Sequence, residues 1–353
     1  MPVFLAKVTM MGSFRSRAEN VKLQSLLTAL VTCLQKFNVP VDALASAEYP
    51  GKVVVLVPTC NAGALWAEFL AALLAQRPAP HACVVIDSES SDGCDRAAQA
   101  AGLTVVRVER SSFNHGKTRQ WAIDRFACDA QFVIFLTQDA ILAEPQSLYQ
   151  LLRSFDDPAV AAAYGRQLPH SDATALAAHA RLFNYPDESH TSRLSDVPVR
   201  GIKTCFLSNS FAAYRVSALK EVGGFASDLI LGEDTQIAAR LIQAGHAIRY
   251  HADALVYHSH NYSFAAEFRR YFDTGVFHAQ QIDLLSGFGE AGREGFRFVW
   301  SEVKYLSKHA PLLLPQALTR TFIKFLAYRL GRKQAWLPVS ICRQMSMTRG
   351  YWA

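Results

Sequence analysis

The chain of 353 residues lacks any paired arrangement of cysteine. Its seven cysteines are scattered, odd in number and include no C-x-x-C. Cys33, Cys60, Cys83, Cys128 and Cys205 sit among apolar residues and read as core thiols. This pattern argues against a disulfide framework or a zinc cage and fits a reducing, cytoplasmic compartment. No mainly apolar, uncharged run approaches the roughly 20 residues that cross a bilayer. Residues 1–17 carry their basic groups after the apolar part and hold no leader-like apolar core, so no signal peptide is expected. No G-x-G-x-x-G follows the first strand-like run, which weakens a dinucleotide reading, and no G-x-x-x-x-G-K-[ST] is present.

Basic charge is also missing from most of the chain. The net charge is +6, yet residues 291–353 hold eleven Lys and Arg against two acids, which leaves residues 1–290 at −3. Nothing in the body reads as a nucleic-acid surface. The tail is rich in Phe, Tyr, Trp and Leu, and a basic, aromatic tail suits an anionic membrane face. Leu318, Phe322, Phe325 and Leu326 share one helical face, with Arg320 and Lys324 across from it. Pro311, Pro315 and Pro338 are expected to divide the region into short helices. An ordinary packed helix pair is the other reading of the tail.

Half the residues are hydrophobic, enough for a sizeable core. Helical spacing runs through Leu23, Leu26, Leu27, Leu30, Val31 and Leu34, and residues 40–50 read as a linker. From Lys52 onward strands and helices alternate. Strands are expected at 52–57, 82–86, 104–108 and 132–137, with helices at 66–76, 94–101 and through Trp121 to Phe126. Phe132 to Thr137 shows no polar alternation, as in a strand covered on both faces. Such alternation predicts a doubly wound sheet with right-handed crossovers. Thr59, Asp87 and Asp139 would then lie along the carboxyl edge, where open α/β sheets bind ligands. Asp139 could equally cap the turn that follows it. Further on, a strand is expected at 160–164, a helix at 173–185 and a polar loop at 186–200. Strands crossing a Ser-Asn-Ser step follow at 204–215. A helix opens at Glu233–Asp234, and short strands come at 247–250 and 254–257.

Six landmarks in this order resemble the inverting family 2 glycosyltransferases of GT-A fold. They are Val57-Pro58-Thr59-x-Asn61, the acidic loop Asp87 to Gly93, Asn114-His115-Gly116-Lys117-Thr118-Arg119, Thr137-Gln138-Asp139-Ala140, Gly232-Glu233-Asp234, and His258-Ser259-His260-Asn261-Tyr262-Ser263. The Phe113-Asn114-His115-Gly116 and Thr137-Gln138-Asp139-Ala140 wordings look most like the rhamnosyltransferase branch, which builds bacterial surface polysaccharides. The similarity covers residues 52 to about 285 and is looser in the tail. Two departures stand out. Thr137 replaces the first acid of the usual Asp-x-Asp, and the second loop reads Asp87-Ser88-Glu89-Ser90-Ser91-Asp92-Gly93.

The resemblance implies a GT-A (Rossmann-like), mixed but mainly parallel sheet with helices on both faces, followed by C-terminal amphipathic helices. The implied division is an N-terminal extension over 1–50, a catalytic domain over 51–285 and a basic helical region over 286–353. Thr59 and Asp87 would contact the nucleotide, although Asp87 could instead make an Asx-turn. Lys117 and Arg119, at a helix N-terminus, would bind phosphate or form a solvated basic turn. Asp139 would hold Mg²⁺ or Mn²⁺. Of the pair His258 and His260, His258 follows the strand more closely and is the chosen metal ligand. Asp234 would be the general base, with Glu233 orienting, unless Asp234 simply caps its helix. Ser208–Asn209–Ser210 could meet donor hydroxyls or satisfy a strand kink. The expected activity is transfer of a sugar, rhamnose from dTDP-rhamnose by resemblance or another sugar from UDP, to a glycan or polyprenyl-linked glycan. Nucleic acid is not an expected partner, and the inner membrane face is the expected location. A sugar nucleotidyltransferase and a non-catalytic polysaccharide-binding protein are the competing readings. The first usually carries a basic loop after strand one, which Pro58 to Gly63 lacks.

Overall fold

A computed structural model of the protein describes residues 17–36, 48–289 and 291–352. Most of the expected linker over 40–50 lies outside these residues. The Leu spacing near the N-terminus does form a helix, α1 (Arg17–Lys36). Its buried Leu27 and Leu30 join one apolar cluster with Trp66, Phe69 and Leu70 of α2 (Trp66–Leu74).

Four strands make the first half of the sheet: β1 (Val53–Thr59), β2 (Ala82–Asp87), β3 (Thr104–Arg107) and β4 (Phe132–Leu136). They run parallel in the order β3-β2-β1-β4. Their connections are α2, α3 (Cys94–Ala100) and α4 (His115–Phe126). β1 and β4 are apolar at every core position because both faces are covered. Val54, Leu56, Val133 and Phe135 enter one cluster, while Val53, Val55, Phe132 and Ile134 enter the other. That is the two-residue period of a strand, divided between two cores. Each such side chain, fully buried, contributes about 1.5–3 kcal/mol. α4 starts on Asn114, whose Oδ1 accepts from the backbone N–H groups of Gly116 and Lys117.

The second half is mixed. It comprises β5 (Ile141–Leu142), α5 (Ser147–Leu152), β6 (Val160–Leu168), α6 (Ala175–Asn184), β7 (His190–Ser192) and α7 (Val197–Arg200). β8 (Phe211–Arg215), α8 (Val216–Glu221), α9 (Glu233–Gln243) and β9 (Ala247–Tyr257) follow. β8 pairs antiparallel with β4 and with β6, and β6 pairs parallel with β9. β5 and β7 close the edge as antiparallel partners of β9. The described residues thus form one nine-stranded sheet in the order β3-β2-β1-β4-β8-β6-β9-β5, with β7 beside β9.

Several expectations need correction. The polar loop at 186–200 contains β7 and α7, because its residues pair with the edge of β9. Only the last five residues of 204–215 are strand; Gly201–Cys205 forms a 3-10 turn. The two short strands after Gly245 are one continuous β9, whose register against β6 jumps between Gly165 and Arg166. Gly165 is needed at that bulge, since a Cβ there would meet the Phe211 ring and the Ala254 carbonyl. Cys60 and Cys128 are exposed, not core thiols; each sits in a loop, where apolar neighbours in sequence do not guarantee burial. All seven cysteines are free.

The tail adds α10 (Phe264–Gln280), α11 (Ile282–Leu285), α12 (Ala291–His309), α13 (Leu314–Arg332) and α14 (Val339–Met345). α12 and α13 are 19 residues each, longer than the short helices expected. Pro315 lies in the first turn of α13, where a missing N–H costs nothing, so it starts the helix without breaking it. Ala317, Ala327 and Gly331 are the buried residues of α13, and Ala327 and Cys342 join the same core as the sheet. No helix among the described residues is long and apolar enough to cross a membrane.

Candidate active site

Beyond the carboxyl ends of β1 and β4 lies an open cavity of about 2350 Å³, running from Thr59 and Asp139 to the inner side of α13. Small-molecule pockets commonly enclose about 300–1,000 Å³. This one has room for two substrates side by side.

β4 stops at Leu136 and the next three residues make a turn, with the Ala140 N–H donating to the Thr137 carbonyl. Gln138 locks this turn to the end of β1: its Oε1 accepts from the Cys60 N–H at 2.7 Å and its Nε2 donates to the Cys60 carbonyl at 3.2 Å. Asp139 is thereby aimed at the residues following β9. Its Oδ1 lies 3.5 Å from Nε2 of His258, and its Oδ2 lies 3.7 Å from Nε2 of His260. One ligand atom from each residue falls within 4.8 Å of the others, a group able to hold a metal ion. Burial would raise the Asp139 carboxyl, but the two imidazoles outweigh it and hold it well below the usual carboxylate range. Burial lowers His258, and burial together with its histidine neighbour lowers His260 to about 4. Sequence reasoning chose His258 and left out His260. The i, i+2 spacing was the available signal, and both rings reach the same carboxylate.

Gly232, which also lines the cavity, immediately precedes α9. Its φ of +78° and the Phe277 ring 2.8 Å from any Cβ require glycine there. The next two residues are acids with different fates. Glu233 is buried; its Oε1 sits 2.8 Å from Arg119 Nη1 and accepts from Asn209 Nδ2 at 3.1 Å. Tyr214 donates its hydroxyl to Asn209 Oδ1 at 2.6 Å, which fixes that amide from behind. Asp234 accepts from the Asn209 N–H at 3.3 Å and the Thr235 N–H at 2.8 Å, and lines the cavity. Burial first, and the neighbouring Glu233 charge second, push its carboxyl up to about 6. Burial also acts on Glu233, but Arg119 holds that carboxyl low. The pair is therefore a locked anion beside a carboxylate tuned to exchange a proton near neutral pH.

The remaining expected residues fall elsewhere. Thr59 is buried and donates to Asp87 Oδ1 at 3.4 Å, while Asp87 Oδ2 accepts from the Ser90 N–H at 3.0 Å. Asp87 is fully buried and is absent from the cavity wall, which Thr59 does line. Asp92 accepts from the Gly63 and Cys94 N–H groups, the turn role its position before Gly93 suggests. Lys117 is exposed and lies outside the cavity wall. Arg119 is 4% exposed and committed to Glu233 in place of an open anion site. Arg110, which the sequence did not single out, lines the cavity beside Cys60. Arg320 and Lys324 also face inward: Arg320 pairs with Glu267 at 2.6 Å, and Lys324 sits over the Tyr271 and Phe298 rings. Leu318, Phe322, Phe325 and Leu326 are exposed, as their shared face predicts.

A sheet with its ligand edge at β1 and β4, an Asp–His–His group there, and a tuned acid lining the same large cavity define a GT-A glycosyltransferase. The chain belongs to glycosyltransferase family 2: residues 50–272 match the family described as "Glycosyltransferase like family 2". It is 48% identical over 302 residues to the O-antigen chain rhamnosyltransferase RfbN of Salmonella typhimurium, covering 85% of this chain and 96% of that protein. It is 49% identical over 299 residues to the O-antigen chain rhamnosyltransferase WbaN of Salmonella anatum, covering 84% and 95%. In fold it resembles a mannosyltransferase from Pyrobaculum calidifontis solved with GDP-Man and Mn²⁺, with a TM-score of 0.50 and 20% identity over 95% of this chain and 96% of that one. The protein is thus a glycosyltransferase, which sets aside the nucleotidyltransferase and non-catalytic readings.

Proposed function

We propose that the protein transfers rhamnose from dTDP-rhamnose to a growing surface glycan, with inversion at the transferred carbon. The observation that carries this is the pairing, in one cavity, of the Asp139–His258–His260 group with Asp234. A sugar nucleotide spans from the end of β1 to the metal group, its base against Thr59 and the loop shaped by Asp87. One carboxylate and two imidazoles suit Mn²⁺ better than Mg²⁺, which prefers an oxygen shell. Asp139, His258 and His260 would hold a divalent ion, which would supply positive charge toward the departing diphosphate. Asp234 takes the proton of the acceptor hydroxyl as it attacks from the opposite face, and Glu233, fixed by Arg119 and Asn209, sets the position and charge of Asp234. The names and 48–49% identity of the two Salmonella relatives support rhamnose as the sugar and an O-antigen chain as the product.

The acceptor is a glycan, polyprenyl-linked, and the enzyme works at the inner face of the cytoplasmic membrane. The exposed Leu318, Phe322 and Phe325 on α13 support this, since they form an apolar stripe bordering a basic cavity wall. In this reading 1–50 is an extension, 51–285 the catalytic unit and 286–353 the part that receives the acceptor. A thermal-shift panel of sugar nucleotides with Mn²⁺ tests the donor, because a ligand of the folded state raises stability by RT ln(1+[L]/Kd). dTDP-rhamnose should give the largest shift, and a larger one with a UDP- or GDP-sugar would refute the donor assignment.

A further inference from the structure

Gln167, on β6, is 2% exposed and plays no part in the motifs that mark the family. Its amide is oriented without ambiguity. Nε2 donates to Ser208 Oγ at 3.0 Å, and Oε1 accepts from Arg181 Nη1 at 2.6 Å. Arginine can only donate, so a flipped amide would set two donors against each other. The same Oε1 lies 2.8 Å from His258 Nδ1. Nδ1 must then carry a proton, and in the neutral ring this leaves the Nε2 lone pair directed at Asp139 Oδ1, 3.5 Å away. In that form two electron pairs face each other, an arrangement that a metal ion between them satisfies.

Arg181 has one nitrogen on Gln167 and its guanidinium 5.5 Å over the Tyr185 ring. It pairs with no carboxylate among the described residues, and it lines the cavity, joined to His258 through the shared Gln167 Oε1. An unpaired guanidinium beside a metal group is suited to an oxyanion that the metal also contacts. Asp139 is the one carboxylate of this group, which leaves little negative charge there to repel such an anion.

We propose that Gln167 is a positioning residue whose single carbonyl oxygen fixes both the metal-binding face of His258 and the arginine, Arg181, that binds the departing diphosphate. The inference rests on the metal reading above and goes beyond it by assigning the two residues that shape the metal and phosphate positions. Outer partners of metal-bound histidine typically change metal affinity by about 10–100-fold when removed.

The test titrates Mn²⁺ alone into the full chain and follows unbound Mn²⁺ by its paramagnetic resonance. Q167M, close in volume but without the carbonyl, should bind Mn²⁺ roughly 10–100-fold more weakly. Q167E keeps an acceptor for both partners and should bind like wild type, an outcome a general packing role for this side chain would not single out. R181A should keep Mn²⁺ affinity but bind inorganic pyrophosphate, at saturating Mn²⁺, about tenfold or more weakly, the loss of a charged hydrogen bond. Imidazole nitrogen resonances of metal-free wild type should show the His258 proton on Nδ1. Wild-type Mn²⁺ affinity in folded Q167M, unchanged pyrophosphate binding in R181A, or a proton on Nε2 of His258 would each overturn the proposal. The nitrogen spectrum decides the matter even if Q167M does not fold. A wild type that takes up no Mn²⁺ removes the metal reading and this inference together, whereas the variant results strike the inference alone.

Discussion

Two regions at the carboxyl edge of the sheet treat their polar residues in opposite ways. Around β1 and β2, Thr59, Asp87, Ser90 and Asp92 bond to one another or to nearby backbone, and Asp87 is fully buried. Around β4, α9 and the end of β9, Asp139, His260 and Asp234 keep acceptor atoms turned into the cavity. Acids of similar sequence context thus serve different ends. Carboxylates satisfied by their own loop give that loop a shape, whereas carboxylates that face a cavity in a partly dry site have altered affinity for protons and cations. The loop beside β1 and β2 is accordingly a moulded surface, and the group around β4, α9 and β9 is where chemistry can be driven.

The largest effect that would sharpen this contrast is expected from Asp139→Asn. It removes the one carboxylate of the metal group, so transfer should fall to background while the melting temperature stays near that of wild type. Full activity at saturating Mn²⁺ would break the assignment of Asp139 to the reactive end. Next comes Asp234→Asn, which should slow transfer by about 10²–10⁴ yet leave Mn²⁺ and sugar-nucleotide binding intact. A parallel loss of donor affinity, measured by calorimetry, would count against a proton-acceptor role.

Asp87→Asn should show the reverse pattern. It removes one charged acceptor from a buried bond set, so a loss of about 1–3 kcal/mol in stability is expected with a smaller change in turnover. An unchanged denaturation midpoint together with a large rise in KM for the donor would mean that Asp87 touches the nucleotide directly.

The smallest effect concerns pH. Asp234 must be ionised to accept a proton, so turnover should fall as pH drops through its raised value of about 6. Glu233→Gln removes the charge that contributes to that rise and leaves Arg119 unpaired nearby, and both changes favour the ionised form. The acid limb should therefore move to lower pH. A shift upward, or none in a variant that folds, would detach Asp234 from its neighbour.

Much of the first half was legible because its causes are local. The unbroken apolar runs of β1 and β4 follow from burial on both faces, and Asn114 announces the start of α4 through its own side-chain bonds. The order of the strand ends placed Thr59 and Asp139 on one cavity wall, because parallel strands joined by helices end on the same edge. The apolar stripe of α13 was also visible, since helical spacing alone sets which residues share a face.

What the sequence left undecided are the partners drawn from distant segments. Arg119 reads as an anion site at a helix start until α9 brings Glu233 to within 2.8 Å, more than a hundred residues later in the chain. Arg320 and Lys324 read as membrane-facing until α10 supplies Glu267 and Tyr271 on the inner side. Gln167 carries no local signal at all, because its role exists only where β6, α6 and the end of β9 converge. Period and propensity are properties of neighbours along the chain and fix which elements form. Charge pairing in a buried site depends on what lies a few ångströms away in space, and only the packing of the sheet against its helices decides that.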